Sequence, residues 1–428
     1  MINKILVAFL LLTSVTFLAQ RTNSSPYSYF GIGEEFSETT VEQSSMGGIG
    51  VAFNHYKYLN FTNPAAYSDL RYTTYSFGIL NNDLTVKSGT SKQNVNSTSL
   101  SYFALAFPIG NKAGLSIGLQ PVSSIGYSLT NSMTDNNGEL SEISSFSGNG
   151  GVNRVYSSFG IKVAKGFSVG LEADYNFGNV DNSILNRRSN VSLGTKFDEI
   201  TVIEGTSVKL GVQYQKELKN KLILNAGATF KLGNSLNVTG DDYLYSLTFN
   251  GSGSESPRDT VSSNKIDGKF NLPLKSIVGV GIGRSDNWYA GLEYENQEAI
   301  STTGLVASTS GAYRYGSSNR VSLGGFYLPK INSISNYWNR VTYRAGARFE
   351  KSGLMVDGSG NNTNFTPIDD FGISFGLGLP LQRLSSVNLG FEFGKRGTTN
   401  NNLIEENYFN FRLSLSLTDK WFEKRKID

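Results

Sequence analysis

Ser168–Phe177 reads S-V-G-L-E-A-D-Y-N-F, and its alternation constrains this chain more than any other stretch. Val169, Leu171, Ala173, Tyr175 and Phe177 are apolar, whereas Ser168, Gly170, Glu172, Asp174 and Asn176 are small, polar or charged. Successive side chains of a strand point to opposite faces, so the segment has one apolar face and one wet face. A soluble sandwich can hold one such strand. Here the pattern returns about a dozen times, in runs of roughly 9–11 residues or more, the length a tilted strand needs to cross a bilayer.

The expected strands are Tyr72–Lys87, Val95–Pro108, Ala113–Thr130, Val152–Ala164, Ser168–Phe177, Thr201–Glu217 and Leu222–Gly233. They continue as Ile266–Arg284, Trp288–Glu298, Arg320–Leu328, Arg340–Lys351, Phe371–Leu379, Val387–Lys395 and Tyr408–Leu417. About fourteen is an even count, as single-chain bacterial barrels have. Short turns near 110, 165, 220, 285 and 383 alternate with long loops near 140, 190, 250, 310, 360 and 400. Residues 131–150, 182–200 and 234–263 read as such loops, and the connection 329–339 is long for a periplasmic turn. Sorting by parity is expected of a transmembrane barrel with short periplasmic turns, and a soluble sandwich has no reason for it. The fold class is all-β: a transmembrane antiparallel β-barrel of about 14 strands, closed so that lipid meets no open edge.

Composition agrees. With 47 Gly, 12% aromatics and a mean hydropathy of −0.23, no run after residue 20 is apolar enough for a membrane helix. Residues 1–20 read as a secretory signal with Lys4 before the apolar Ile5–Leu12, cleaved near Ala19. The absence of Cys excludes a lipid-attachment cysteine and disulfides, and a formal charge of +3 that includes Lys4 gives no case for nucleic acid. Residues 21–70 lack alternation and are punctuated by Gly and Pro, so they are expected to sit inside the lumen as an N-terminal hatch. The barrel spans 71–418, and 419–428 is a periplasmic tail in which Trp421 and Phe422 suit the membrane interface.

Ser45–Phe53 (S-M-G-G-I-G-V-A-F), Asn63–Tyr67 (N-P-A-A-Y) and the Pro-containing Phe270–Ile282 carry a resemblance to the FadL-type outer-membrane transporters of hydrophobic compounds. The resemblance implies a fourteen-stranded barrel with a lumenal hatch whose movement gates a channel to an opening in the wall. It assigns Asn63, Pro64 and Ala65 to the hatch motif. The chain departs from the family in its outer segments 131–150, 246–263 and 357–366, which are rich in Ser, Asn, Gly and Thr and offer no apolar capture site. Two roles are therefore expected. One is passive uptake of a fatty acid or other hydrophobic ligand through a hatch-gated channel. The alternative is a non-conducting subunit of an outer-membrane secretion, assembly or surface-export complex, with other outer-membrane proteins as partners. Both place the chain in the outer membrane of a diderm bacterium, in contact with its lipid.

The wet faces of the strands carry Glu172, Asp174, Lys209, Lys231, Glu293, Glu295, Arg344, Arg348, Glu350, Glu392 and Arg412. Charges of both signs beside a hatch-sized segment favour an ion-pair network that packs hatch against wall over a polar permeation path. His55 is the single histidine and lies in the hatch, away from the rim where a barrel hydrolase needs a base beside a nucleophile. No catalytic residue, metal ligand or cofactor is expected. Gly31-Ile32-Gly33 and Gly47-Gly48-Ile49-Gly50 lack the strand–turn–helix setting of a nucleotide loop and suit tight turns or close approach to the wall.

Overall fold

The structure is a computed structural model that describes residues 23–250, 253–305, 311–381 and 385–420. The expected signal segment, Trp421, Phe422 and the turn at 383 lie outside the described residues. In chain order the wall comprises β1 (Thr73–Ser88), β2 (Ser91–Ile109), β3 (Ala113–Ile125, resumed by Ser128–Thr134), β4 (Leu140–Ala164), β5 (Phe167–Arg188) and β6 (Leu193–Glu217). Next come β7 (Ile223–Lys231, resumed by Asn234–Phe249), β8 (Glu255–Leu272, resumed by Lys275–Arg284), β9 (Trp288–Gln297, resumed by Ser301–Thr302) and β10 (Tyr313–Tyr315, resumed by Ser318–Tyr327). β11 (Thr342–Val356), β12 (Thr366–Pro380), β13 (Ser386–Gly397) and β14 (Ile404–Asp419) complete fourteen antiparallel strands. β14 closes the ring on β1 from Thr73↔Asp419 to Ser88↔Ile404.

The alternation reads out in the wall as expected. Leu171, Tyr175 and Phe177 on β5 are exposed on the outside, and Glu172, Asp174 and Asn176 are buried within. The outer belt continues through Phe103, Val155, Leu210, Val280, Leu292, Leu323, Phe375 and Phe393, all exposed. Among the described residues no helix is long and apolar enough to cross a membrane.

Three expected loops are instead strand. β4 and β6 run for 25 residues each, so that 131–150, 182–200 and the described parts of 234–263 belong to tall hairpins with short turns such as 189–192. At ~3.3 Å per residue such a strand is about 80 Å long, roughly twice the tilted path across a hydrocarbon core. Toward the hairpin tips, at 131–140, 187–193 and 253–261, side chains of both parities are exposed, so hydrophobic alternation fades while the backbone ladders β5–β6 and β6–β7 persist. The length difference between the barrel ends thus lies in strand overhang.

β3 is also not the uninterrupted Ala113–Thr130. It pairs with β2 only from Phe103↔Leu119 to Ile109↔Ala113. At Pro121, which has no N–H to donate, the β3–β4 register shifts, and Ser123–Tyr127 turn into the lumen and are buried. There the hatch strand Glu34–Glu35 pairs with Ser123 and Ser124, and the Phe36 N–H donates to the Val122 carbonyl at 2.8 Å. The wall is therefore open between β2 and β3 over its outer half.

The rest of the hatch is made of short caps and turns: 3₁₀ turns Pro26–Tyr29 and Pro64–Asp69, and a one-turn helix α1 (Val41–Ser44). Thr40 and Gln43 form a reciprocal capping box that closes the start of α1.

Candidate functional site

The Asn63-Pro64-Ala65 motif lies against the inner wall of β4, β5 and β6. Pro64 suits the first position of its 3₁₀ turn, and the Asn63 side chain caps it by accepting from the Ala65 N–H at 3.0 Å. The same side chain donates to the Val51 carbonyl at 2.7 Å and to the wall carbonyl of Val212 at 3.0 Å. Gly160, Gly170 and Gly211 face the motif, and a Cβ on any of them would collide with Pro64, Ala65 or Asn63. Gly47, at φ +73°, makes the matching approach from the hatch: a Cβ there would stand 2.8 Å from the carbonyls of Leu323 and Ala347. Asn60, which carries no sequence signal, knots the hatch together. It accepts from Thr62 N, Asn63 N and Gln43 and donates to the carbonyls of Gly50 and Phe53.

Glu172, Asp174, Lys209 and Lys231 meet in one buried network with two residues that the sequence did not single out, Arg154 and Glu38. Arg154 is fully buried and pairs with Glu38 at 3.0 Å, Glu172 at 3.1 Å and Asp174 at 3.4 Å. Lys209 bridges Glu38 and Glu172, both at 2.7 Å, and Lys231 reaches Glu38 at 2.7 Å. Three cations thus face three carboxylates, and the hatch supplies Glu38, which touches all three cations. Burying ions costs several kcal/mol each unless they are paired with good geometry, which balanced charge allows here.

The other candidates fall into separate groups. Glu293 accepts from the Gly50 and Val51 N–H groups at 2.8 and 2.7 Å, again tying wall to hatch. Glu295 pairs with Arg320 at 2.6 Å and Lys275 at 2.7 Å. Arg348, Glu350, Glu392 and Arg412 gather around Asp370 and Tyr408: Arg348 reaches Glu392 at 2.8 Å and Asp370 at 3.3 Å, and Arg412 reaches Glu392 at 2.6 Å. Arg396 extends this group to Glu34 of the hatch at 2.5 Å. Arg344 stands apart, bonding Asn388 at 3.1 Å over the ring of Tyr58.

Above these charges the inward parity turns apolar. Val152, Val180, Ile203, Val238, Ile266 and Phe270 from the wall pack with Ile32 of the hatch and Ile125 and Tyr127 of the indrawn β3. The outer half of the lumen is therefore a packed core. The spaces left beside Glu34–Ser37 are small and charged: about 110 Å³ near Arg396, Glu406 and Arg412, and about 160 Å³ near Arg320, Arg348 and Glu350.

At the opposite mouth, His55 stacks on Tyr56 and sits 3.5 Å from Asp286. Burial pushes its imidazole down to about 4, against the opposing pull of Asp286. Its ring neighbours are Phe53, Tyr56 and Tyr58. Among the described residues no group of three or more His, Cys, Asp or Glu is arranged to hold a metal ion.

A ring of fourteen antiparallel strands with an apolar outer belt, its lumen occupied by the N-terminal segment, has the fold of a membrane-spanning β-barrel of the outer-membrane type. The profile of the BamG family matches residues 1–428, and the chain belongs to that family. Solved structures share the fold. A Pseudomonas aeruginosa FadL homologue superposes with a TM-score of 0.60 at 12% identity, covering 91% of this chain and 100% of its own. The CymD monoaromatic hydrocarbon channel gives 0.58 at 15% identity over 91% and 99%. The Ralstonia pickettii toluene transporter TbuX gives 0.56 at 14% over 89% and 98%. At these identities the likeness is one of fold, as the FadL resemblance implies. No curated protein matches the sequence.

Proposed function

We propose that this chain is a non-conducting barrel subunit of an outer-membrane protein complex that assembles, secretes or exports other proteins, reached after signal cleavage in a diderm bacterium. The observation that carries this reading is the filled lumen. The hatch is bound to the wall through Asn63, Glu38, Glu293 and Glu34, and an apolar core seals the outer half above it. An apolar cavity of ~150 Å³ is what one benzene-sized molecule needs. The spaces beside Glu34–Ser37, about 110 and 160 Å³, carry arginine and glutamate whose desolvation an apolar guest would not repay, and a third of about 240 Å³ lies at the opposite mouth beside Asn54, His55, Asp69 and Arg71. The polar residues on the wet faces act as hatch anchors, with no catalytic role. A planar-bilayer recording tests the reading: the purified full-length chain should give no conductance steps, and a stable open pore would contradict it.

A second reading has one observation behind it. The wall opening between β2 and β3 is an exit of the sort a channel needs, and similar structures are named as hydrocarbon and toluene channels. In that case the Asn63–Ala65 motif is the gate, and Asn63→Ala or Pro64→Ala changes uptake of a hydrophobic compound at unchanged barrel abundance. Unchanged uptake removes this reading.

A further inference from the structure

The opening between β2 and β3 leaves one strand edge without a ladder. β2 pairs with β1 up to Ser88↔Ser91, whereas its pairing with β3 stops at Phe103. Residues 91–102 therefore carry a backbone edge that pairs with no strand on the β3 side, among the described residues. An edge of this length is a template for another strand, and proteins usually blunt it with charge, proline or a covering segment. Here S-K-Q-N-V-N-S-T-S-L-S-Y offers a single charge, Lys92 at the tip, and no proline. Around Leu100, exposed on the lipid side, the backbone lies level with the apolar belt, where unmet N–H and C=O groups cost several kcal/mol each.

The facing edge shows how such groups are met in this molecule. Where β3 turns inward, an extended hatch segment, Glu34–Glu35, is added to it as a two-residue strand. Among the described residues the β2 edge has no such cover. We propose that it is completed by an extended segment of another protein of the complex, added as a β-strand alongside residues 91–102. Main-chain hydrogen bonds supply the attraction in this mode, and pockets for alternate side chains supply the selectivity. Ser97, Ser99 and Gln120 border the charged chamber behind the opening, so every second side chain of the added strand is polar or charged and points at Arg396, Arg412 or Glu406. The intervening side chains are apolar at the level of Leu100. This inference rests on the subunit reading and names the interface.

The test places a photo-reactive benzoyl-phenylalanine singly at Val95, Ser97, Ser99 and, as a control on another part of the wall, Phe375, in the full-length chain in its native membrane. Heat-modifiable migration on gels verifies each folded barrel, and the four sites keep the test alive if one variant fails. The proposal expects cross-links to one partner protein from 95, 97 and 99 and none from 375. Mapped cross-links should step by two residues along the partner for each step of two along β2. A partner that co-purifies but cross-links only elsewhere, or without that fixed step, overturns the strand proposal and leaves the subunit reading standing. Cross-links to lipid alone, or to a second copy of this chain, also overturn it. A chain that purifies with no partner at all overturns both.

Discussion

Replacing Glu38 by Gln removes the one hatch carboxylate that three buried cations share, at 3.0 Å from Arg154 and 2.7 Å from each of Lys209 and Lys231. Glu172 and Asp174 would then face three cations, leaving one positive charge uncompensated inside the wall. Breaking a buried pair on one side costs ~3–5 kcal/mol. The Glu38 side chain is 27% exposed, which lowers the expectation to roughly 2–3 kcal/mol of hatch docking. Since ~1.4 kcal/mol is a factor of ten, hatch amides that exchange by local opening should exchange roughly 30- to 150-fold faster. Hydrogen–deuterium exchange read by mass spectrometry would show this in peptides covering 34–44 and 60–67, with the wall strands unchanged. Glu38→Gln combined with Lys231→Gln restores the balance, because Lys231 has only the more distant Asp174 at 3.7 Å besides Glu38, and should recover much of the protection. Unchanged exchange in the single variant, or a double variant worse than the sum of its parts, would refute the reasoning.

Other expectations follow from the same contacts. Gly211→Val puts a side chain where Asn63 and Pro64 rest, so the hatch should become cleavable by added protease while the barrel stays heat-modifiable; a hatch as resistant as in the parent counts against close apposition. His55 is held near 4 against an unfolded value of about 6.5, so its neutral form is favoured by folding. Between those pH values the opened hatch binds the extra proton, and stability rises with pH across that window, by up to roughly 3 kcal/mol. Hatch exchange should therefore quicken as pH falls from 7 to 4.5, after correction for intrinsic rates, and His55→Gln should lose that added dependence; an identical pH profile in the variant would sink the assignment.

Much of the wall was legible because lipid imposes a rule with period two. On β5 the parity of Leu171, Tyr175 and Phe177 against Glu172 and Asp174 is the parity of the structure. Legibility ended where lipid ends. Ser183 to Arg188 remain strand, yet none of them is buried and no alternation marks them. Arg154 shares the inward parity of Ser158 and was readable in principle, whereas Glu38 belongs to a hatch without period, and only its three partners reveal it. Val180 and Ile203 sit on the inward parity too, but an apolar lumen defies the expectation of a wet one, so the seal above the charges stayed hidden. The kink of β3 had one visible sign, Pro121, and the hatch strand that accepts it depends on contacts about ninety residues apart in sequence.

On the subunit reading this barrel works through protein partners and conducts nothing. The most direct test is mild-detergent purification of a tagged full-length chain from its native membrane, with mass spectrometry of the proteins and lipids that come with it. Stoichiometric outer-membrane partners and no enriched small hydrophobic molecule are expected. A lone barrel that carries a fatty acid or similar ligand would contradict that reading.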